Sequence, residues 1–225
     1  MNLLAIDTST ESGSIALWCD GELLQRRCPA GLAHSQTLLP LLGSTLKAAG
    51  LGYRDLHGIA FAAGPGSFTG LRVACGVAQG LAVAHALPVI AVGTLEAMAL
   101  ASGGERVIVL LDARMGEVYH GRFVAGGPAL AAAVCHPGEL PLPDTAGWLA
   151  CGNGLAAHPL LRQRLSERVC DWLPDLLPDA GSVARLAAPR LARGEGMDPA
   201  AVAPVYVRNK VALTIAERLA SGGRA

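Results

Sequence analysis

The chain has 225 residues, of which 52% are hydrophobic and only 16% are charged, and its formal net charge is zero. This length suits one large domain or two small lobes, and the low charge content requires either an extensive core or an apolar surface that a partner covers. Proteins that bind nucleic acid on their own usually carry a basic excess, because phosphate contacts dominate the affinity. The balanced charge therefore argues against an independent nucleic-acid-binding protein.

The cysteines and histidines are not arranged as metal ligands. The six cysteines form no Cys-x-x-Cys pair and the six histidines form no His-x-x-x-His pair, whereas a zinc site needs clustered ligands at short spacings. We therefore predict no metal bound by this chain. The first residues read directly as a strand, without a basic leader, so we expect a cytoplasmic protein with reduced thiols.

One uncharged segment, residues 73–95, resembles a membrane span in composition. It contains Gln79, His85 and Pro88, and the proline leaves a helix that is too short to cross a bilayer. We therefore interpret the segment as a buried helix followed by a buried strand, and we predict no membrane association.

Three strands, with an Asp20-Gly21 hairpin turn between the second and third, open the chain. A helix follows, and its regular part is expected to begin near Pro40. The next segments alternate between strand and helix, and Thr94 is the expected N-cap of the last helix. The predicted strands are 2–7, 14–19, 22–27, 58–63 and 88–92, and the predicted helices are 38–49, 68–86 and 94–102.

The pattern then starts again, because an apolar strand ends at Asp112 as the first strand ends at Asp7. An aspartate at the same point of two strand–turn–strand units predicts two lobes with the same topology. Residues 125–150 are rich in proline, glycine and alanine and are expected to be irregular. The remaining elements are a strand and turn at 147–154, a helix from Ser182 with a kink at Pro189, and a final helix at 209–221.

The expected boundary between the two lobes follows the helix at 94–102. We place the N-terminal lobe at residues 1–102 and a reduced C-terminal lobe at residues 103–208. The final helix, 209–221, is expected to pack back on the N-terminal lobe.

The stretch "AGPGSFTGLR", residues 63–72, lies between a predicted strand and a predicted helix. It is not a Walker A motif, since it has no Gly-Lys-Ser/Thr, and it is not Gly-x-Gly-x-x-Gly, since Gly70 comes one position too late. Backbone N–H groups of Ser67, Phe68 and Thr69 at the helix start would suit an anion. The alternative, which the residues favour, is a chain reversal in which Ser67 caps the helix.

The helix after this loop carries two interior glycines, Gly76 and Gly80. Each costs about 1 kcal/mol of helix propensity relative to alanine, which indicates that another backbone, in the core or on a second subunit, approaches closely. Gln79 and His85 are its only polar residues between positions 73 and 87. A helix that is apolar all round needs cover on both sides.

Several motifs occur here in the order of one known family, namely "LLAIDTST", "AHSQTLLPLL", "AGPGSFTGLRVACGVAQGLA", "LDARMGEVY" and "PVYVRNKVA". On these motifs the chain resembles the TsaB (YeaZ) family, bacterial partner proteins of the machinery that makes threonylcarbamoyladenosine in tRNA. The matching motifs run from residue 3 to about residue 212, with little match at 125–180. The resemblance implies an α/β, two-lobed actin-like or Hsp70-like ATPase (ASKHA) fold, in which each lobe is a mixed sheet flanked by helices and the second lobe is reduced.

The resemblance implies a non-catalytic scaffold and activator, and not an enzyme on its own. The chain would form a heterodimer with the catalytic paralogue TsaD, with the ATPase TsaE as a further partner. The complex would modify the adenosine beside the anticodon in tRNAs that read codons starting with A. ATP and a metal would be used by the partner subunits, and no cofactor is expected on this chain. The same surface would allow a homodimer when TsaD is missing.

TsaD holds its metal with a His-x-x-x-His motif, and the corresponding positions here are Thr94 and Met98. Neither residue is a suitable ligand for a hydrolytic metal, so the resemblance implies that this metal site is absent. His34 remains alone and is expected to be a cap or a contact near a helix start.

By the same resemblance, helices 38–49 and 68–86 are expected to pack against the matching helices of TsaD as a four-helix bundle. The predicted interface residues are Leu38, Leu42, Phe68, Leu71, Ala74, Cys75 and Ala78. A residual nucleotide site of the actin-like kind stays open as well. Its candidate residues are Asp7, Thr8, Gly64, Gly66, Ser67 and Asp112.

Other functions stay open on the residues alone. A stand-alone actin-fold ATPase or kinase would hold magnesium through Asp7 and Asp112. In the alternative, the two aspartates only end their strands and cap the turns that follow. A peptidase would need a metal or an activated nucleophile, and Ser67 has no histidine nearby in sequence. Direct tRNA binding would use arginines that more often form a solvated helix face, namely Arg162, Arg164, Arg168, Arg185, Arg190 and Arg193.

Overall fold

The first lobe is a five-stranded sheet with helices on both faces. In the computed structural model, which describes residues 1–125 and 127–208, its elements are β1 (Asn2–Asp7), β2 (Ser14–Cys19), β3 (Glu22–Arg27), α1 (His34–Ala48), β4 (Gly58–Gly64), α2 (Phe68–His85), β5 (Val89–Gly93) and α3 (Thr94–Ser102). The strand order is β3-β2-β1-β4-β5. Adjacent strands among β1, β2 and β3 are antiparallel, whereas β4 runs parallel to β1 and β5 parallel to β4.

The second lobe repeats this topology. Its elements are β6 (Arg106–Asp112), β7 (Val118–Val124), β8 (Gly127–Cys135), β9 (Trp148–Cys151), α4 (Gly154–Ala157), α5 (Leu160–Leu165) and β10 (Val169–Leu173). The last described α-helix, α6 (Ala180–Ala192), follows them in the chain. The strand order β8-β7-β6-β9-β10 matches that of the first sheet, with the same parallel and antiparallel pairs. The predicted repeat is confirmed, since Asp7 and Asp112 each end the first strand of their lobe.

Local sequence explains the central strands and the first hairpin. β4 is buried along its whole length and β1 along nearly all of it, which is typical of strands that helices cover on both faces. Asp20 and Gly21 both have positive φ, 47° and 100°. This backbone gives a two-residue turn whose twist matches the flanking strands, so the predicted hairpin is confirmed.

Helices cover the two faces of the first sheet. α1 and α2 pack on the face that carries Leu4 and Ile6, and α6 packs on the face that carries Leu3 and Ala5. The predicted boundary of the C-terminal lobe, 103–208, is therefore wrong at its end, because α6 returns to the first lobe. The helix predicted at 209–221 lies outside the described residues.

One helix contributes to the cores of both lobes. Ala97 of α3 packs in the core of the first lobe, whereas Leu95 and Met98 pack in the core of the second lobe. A helix shared in this way fixes the two sheets relative to each other along one side.

Two predictions of secondary structure are wrong. The irregular segment predicted at 125–150 contains β8, whereas β9 lies within the strand and turn predicted at 147–154 and confirms them. The β8 sequence is rich in alanine, so its two faces differ little in hydrophobicity and no alternation is visible. α1 begins at His34 and contains Pro40 at an exposed position, so the helix tolerates the loss of the hydrogen bond that a proline cannot donate.

Two predicted helix caps are also wrong. The N-cap of α3 is Gly93, and Thr94 is the first helical residue. The N-cap of α6 is Asp179, whose Oδ1 accepts a hydrogen bond from the Ser182 N–H at 2.9 Å. An aspartate is as good an N-cap as a serine, so sequence preference alone does not separate positions three residues apart.

The uncharged segment 73–95 contains the greater part of α2, the strand β5 and the first two residues of α3, so the predicted helix followed by a strand is confirmed. Ala86 ends α2 in a left-handed conformation with φ of 52°. Among residues 1–125 and 127–208, no helix has both the length and the apolar character that crossing a bilayer requires.

Candidate functional site

The glycine-rich loop between β4 and α2 packs tightly against the turn between β1 and β2. The Ser67 N–H donates to the Ser9 carbonyl at 2.7 Å, and the Thr8 hydroxyl donates to the Gly70 carbonyl at 2.7 Å. A Cβ at Gly66 would lie 2.6 Å from the Ser9 carbonyl oxygen, and one at Gly70 would lie 1.8 Å from the Thr8 carbonyl oxygen. The close approach of two backbone segments therefore requires these glycines.

This packing decides between the two interpretations of the loop. The prediction that the Ser67 N–H points outward is wrong, because the Ser9 carbonyl accepts it. The predicted capping role of Ser67 is confirmed, since its hydroxyl accepts a hydrogen bond from the Gly70 N–H at 3.3 Å. The loop is thus a chain reversal that positions α2, and its Ser67 N–H is not available to an anion.

Asp7 lies beneath the same turn and is completely buried. Its Oδ1 accepts from the Ser9 N–H at 2.8 Å and from the Ser9 hydroxyl at 2.6 Å, whereas Oδ2 has no hydrogen-bond partner in the described part of the chain. Burial raises the pKa of this carboxyl to about 6. Asp7 therefore stabilises the turn and presents no accessible carboxylate oxygen to a ligand.

We expect Asp7→Asn to stabilise the fold at neutral pH. The folded-state pKa of about 6 lies above the ordinary value of 3.8, so folding at pH 7 includes the cost of keeping a buried carboxylate ionised. The variant avoids that cost, roughly 1 to 3 kcal/mol. Its advantage should be complete above the folded-state pKa and should disappear as the pH falls below 3.8. Denaturant unfolding between about pH 4 and pH 8 measures the difference.

The control for this experiment is Asp144→Asn, because Asp144 is exposed and its replacement should leave the pH dependence unchanged. A variant at Asp7 that is less stable than the parent chain at every pH would contradict the expectation. That result would mean that the folded state favours the ionised carboxylate.

Asp112 ends β6 at the corresponding point of the second lobe, and the surrounding residues hold it in place. Its backbone N–H donates to Oδ1 of Asn153 at 2.9 Å, and its own Oδ1 accepts from the Arg114 N–H at 3.0 Å. The same Oδ1 lies 3.4 Å from Nε2 of His158. Asp112 therefore anchors the β6–β7 turn, in the way that Asp7 anchors the β1–β2 turn.

A cleft of about 760 Å³ lies between the two lobes. The β1–β2 turn and the glycine loop form one wall, the β6–β7 turn forms the opposite wall, and residues 205–208 run along it. Of the predicted nucleotide-site residues, those that line the cleft are Gly66, Ser67 and Asp112. Those that are buried without lining it are Asp7, Thr8 and Gly64.

These residues do not fit the magnesium nucleotide that an actin-like site would hold. Asp7 is completely buried, Oδ1 of Asp112 accepts a hydrogen bond from its own turn, and the Ser67 N–H donates to the Ser9 carbonyl. Within residues 1–125 and 127–208, no group of three or more histidine, cysteine, aspartate or glutamate side chains is placed to hold a metal ion. The structure therefore does not assemble the predicted candidates into a site of that kind.

Sequence analysis missed the cationic and aromatic side chains that line the cleft. They are Arg27, Arg114, Tyr119, Tyr206 and Arg208. They come from three separate segments of the chain, so no local spacing identifies them as a group. Only the packing of the two lobes brings them together.

The two positions that the resemblance led us to compare with metal ligands are filled by packing. Thr94 and Met98 are completely buried, and Cε of Met98 lies 3.1 Å from the place that a Cβ at Gly152 would occupy. His34 was expected to be a cap or a contact, and its Nε2 lies 2.9 Å from the Thr10 carbonyl. His34 is therefore a contact between the start of α1 and the β1–β2 turn.

Most of the predicted interface residues do not lie on the surface. Only Phe68 is exposed, at 38%. The other six have exposed fractions of 5% or less and lie in the protein's own core, namely Leu38, Leu42, Leu71, Ala74, Cys75 and Ala78. The helical periodicity that selected these residues marks the face that packs on the sheet. The prediction is therefore wrong for these six residues, since buried side chains cannot contact a partner.

The polar residues of α2 are used within the chain. Nε2 of Gln79 donates to the carbonyls of Pro199 and Val202 at 3.0 and 3.1 Å. The His85 ring stacks on the Tyr53 ring, with centroids 5.5 Å apart. From Val73 to Ala84 the outward surface of the helix consequently carries apolar and small residues. We call it the α2 face, and it consists of Val73, Gly76, Val77, Gly80, Val83 and Ala84.

The α2 face is open in the described structure. A Cβ at Gly76 or Gly80 would meet no atom within 4 Å, and Val83 is 70% exposed. On the neighbouring α1, Leu39 is 49% exposed. The two interior glycines therefore do not serve close packing with the described part of the chain.

The segment at 199–208 runs along α2 and then reaches the second lobe. The Val205 N–H donates to the Ala63 carbonyl at 2.7 Å in the first lobe. Nη2 of Arg208 donates to the Ala113 carbonyl at 3.0 Å in the second lobe. This segment therefore ties the lobes together beside the cleft.

Several arginines considered for tRNA binding are engaged within the chain. Arg190 forms an ion pair with Glu96, and Arg193 forms one with Glu195. Nη2 of Arg164 donates to the Leu140 carbonyl at 3.1 Å. These contacts favour the interpretation of structural and solvated side chains over that of an RNA-binding surface.

Two lobes of one topology, facing each other across a cleft, define the class of proteins with the actin-like ATPase fold. A family profile described as "TsaD: tRNA N6-adenosine threonylcarbamoyltransferase" matches residues 29–147. The "tRNA threonylcarbamoyladenosine biosynthesis protein TsaB" of Escherichia coli (strain K12) is 36% identical over 226 residues, which cover 94% of this chain and 96% of that protein. The chain belongs to the TsaB family.

Further relatives are similar over nearly the whole chain. The Haemophilus influenzae protein of the same description is 33% identical over 228 residues, covering 94% of this chain and 95% of that protein. The solved structure described as "YeaZ from Pseudomonas aeruginosa" has a TM-score of 0.79 at 39% sequence identity. It covers 91% of this chain and 99% of its own.

Proposed function

We propose that the chain is a non-catalytic scaffold and activator of tRNA threonylcarbamoylation. In this role it forms a heterodimer with the catalytic TsaD paralogue, and the ATPase TsaE joins as a further partner. The product is the modified adenosine beside the anticodon in tRNAs that read codons starting with A. Family membership supports the proposal, because the relatives above are described as tRNA threonylcarbamoyladenosine biosynthesis proteins.

The observation that carries this proposal is the open α2 face. It is apolar, it contains Gly76 and Gly80, which have no side chains to fill the space above the helix, and it neighbours the exposed Leu39 of α1. The TsaD family profile matches residues 29–147, which include α1 and α2, so the paralogue carries corresponding helices. Two such helix pairs can pack as a four-helix bundle, in which small residues permit a close approach.

The same face would pair with a second copy of the chain when TsaD is missing. An isologous homodimer uses one self-complementary patch on both subunits, and homologous helices offer similar patches. We therefore propose a homodimer that TsaD replaces.

A stand-alone ATPase or kinase is the alternative function. The complete burial of Asp7 argues against it, because that carboxylate is not accessible to a magnesium ion, and Oδ1 of Asp112 is already engaged by Arg114 and His158. A peptidase is disfavoured as well, since the Ser67 hydroxyl accepts the Gly70 N–H at the start of α2 and serves as a cap.

Reconstitution with each component left out tests the proposed function. The purified chain is mixed with TsaD, TsaE, ATP, the threonylcarbamoyl precursors and unmodified tRNA, and the modified nucleoside is measured by mass spectrometry of digested tRNA. We expect modification only when this chain and TsaD are both present. We also expect the isolated chain not to hydrolyse ATP, so that Asp7→Ala changes nothing in a hydrolysis assay. Full modification without this chain, or ATP hydrolysis by the chain alone that Asp7→Ala abolishes, would contradict the proposal.

A further inference from the structure

Arg72 is held in a fixed position near the start of α2. Its guanidinium group lies over the Phe68 ring, 3.8 Å from the centroid, and its Nε donates to the Tyr206 hydroxyl at 3.0 Å. The Tyr206 and Phe68 ring centroids are 5.4 Å apart, so the three side chains contact one another. Tyr206 is itself anchored, because the N–H of the preceding residue, Val205, donates to the Ala63 carbonyl at 2.7 Å. The guanidinium group therefore has little freedom to move.

The positive charge of Arg72 is not compensated within the described part of the chain. Arg72 is exposed, and no carboxylate forms an ion pair with it among residues 1–125 and 127–208. Its side-chain hydrogen bond among these residues uses Nε, so both Nη groups are open to a ligand. The first turn of α2 contains no acidic residue, and the N-terminal end of a helix dipole disfavours a nearby cation. The charge of Arg72 therefore does not stabilise α2 and is available to a partner.

Arg72 lies beside the α2 face. Residues four positions apart lie one above the other on a helix, so Phe68, Arg72 and Gly76 form one line along α2. Phe68 and Arg72 are exposed, and a Cβ at Gly76 would meet no atom within 4 Å. A protein that docks on the α2 face at Gly76 therefore reaches Arg72 one helical turn away.

The charges of α1 and α2 distinguish two kinds of partner. The two helices contain the cations Lys47 and Arg72 and no aspartate or glutamate. In a symmetric dimer the same patch occurs on both subunits, so these helices of a second copy offer Arg72 no carboxylate. A different protein with a carboxylate at this point can accept a charge-assisted, bidentate pair of hydrogen bonds from the guanidinium group. Electrostatic complementarity of this kind gives an interface its specificity.

We propose that Arg72 binds a carboxylate of the heterodimer partner and thereby selects that partner over a second copy of the chain. The inference rests on the proposed function, because it requires that the partner docks on the α2 face. Phe68 and Tyr206 are positioning residues, since the Phe68 ring supports the guanidinium plane and the Tyr206 hydroxyl fixes Nε. A guanidinium group that is fixed in advance loses little side-chain entropy when it binds.

The test compares the heterodimer and the homodimer formed by the full-length chain. Binding to purified TsaD is measured by calorimetry at low and high NaCl concentrations, and self-association is measured by analytical ultracentrifugation. We expect Arg72→Gln to weaken the heterodimer about tenfold or more at low salt, because it removes one partner of a charged pair. Salt should weaken the heterodimer of the parent chain more than that of the variant, since salt screens the lost attraction. The homodimer should not weaken, because Arg72 has no carboxylate to lose there.

Two further variants test how Arg72 is positioned. Arg72→Lys keeps the charge but loses the planar group that stacks and binds in a bidentate way, so it should recover only part of the heterodimer affinity. Tyr206→Phe keeps the aromatic ring and removes the hydroxyl that fixes Nε. It should weaken the heterodimer severalfold and leave its salt dependence as in the parent chain.

The matched control is Arg162→Gln. Arg162 is also exposed and lies over an aromatic ring, 5.3 Å from the Trp172 centroid, but it belongs to the second lobe. This variant should change neither dimer, and thermal unfolding of every variant separates a loss of binding from a loss of folding.

The proposal would be overturned if Arg72→Gln bound TsaD as tightly as Arg162→Gln, or with the same salt dependence as the parent chain. An equal loss of heterodimer and homodimer would also overturn it, because Arg72 would then support only the shape of the α2 face. Failure of the parent chain itself to bind TsaD would overturn the proposed function together with this inference. Tight binding that is indifferent to Arg72 would overturn the inference alone.

Discussion

Gly70→Ala is expected to destabilise the fold by about 3 kcal/mol or more, whereas Gly76→Ala is expected to stabilise it by up to about 1 kcal/mol. Both glycines lie within α2, and both changes add one methyl group. At Gly70 the new Cβ would lie 1.8 Å from the Thr8 carbonyl oxygen, so the β1–β2 turn and the glycine loop would have to separate. At Gly76 the Cβ would meet no atom within 4 Å, so only the gain in helix propensity remains.

Thermal unfolding of the two variants and the parent chain measures this contrast. For a protein of this size, 1 kcal/mol corresponds to a shift in Tm of about 2–4 °C, so Gly70→Ala should lower Tm by about 6 °C or more. Gly76→Ala is the matched control. Equal Tm values for the two variants would show that the glycine loop and the β1–β2 turn do not pack as described.

Gly76→Trp is expected to abolish copurification with TsaD and to leave the isolated chain folded. The residue lies in the middle of the α2 face, where an indole would prevent two helices from approaching at Gly76 and Gly80. A clash of about 3 kcal/mol corresponds to an affinity loss of about a hundredfold. Ala78, which lies in the same helix, is completely buried, so a large residue there would disrupt the core and would not test docking.

The control for this experiment is Ala156→Trp, on an exposed position of α4 in the second lobe. We expect this variant to copurify with TsaD and to support full tRNA modification. Both variants are also compared by circular dichroism and thermal unfolding. If Gly76→Trp copurified with TsaD as the control does, the partner surface would lie elsewhere on the chain.

Local features of the sequence determined most of the secondary structure. The Asp20-Gly21 turn, the capping role of Ser67 and the two strands that end at Asp7 and Asp112 depend on interactions between residues close in sequence. The repeat of those strands also indicated two lobes of one topology. β8 was not predicted, because its alanine-rich sequence gives the two faces of the strand nearly the same hydrophobicity.

Only the tertiary structure decided which surface of α2 faces outward and which residues share the cleft. A helix with apolar or small residues on every side has no polar stripe to mark its solvent face, so its pattern could not distinguish Ala78 from Gly76. The return of α6 to the first lobe, and the placement of Arg27 and Arg114 along one cleft, bring together residues far apart in the chain. Such contacts depend on how whole elements pack, because no local hydrogen bond or spacing specifies them.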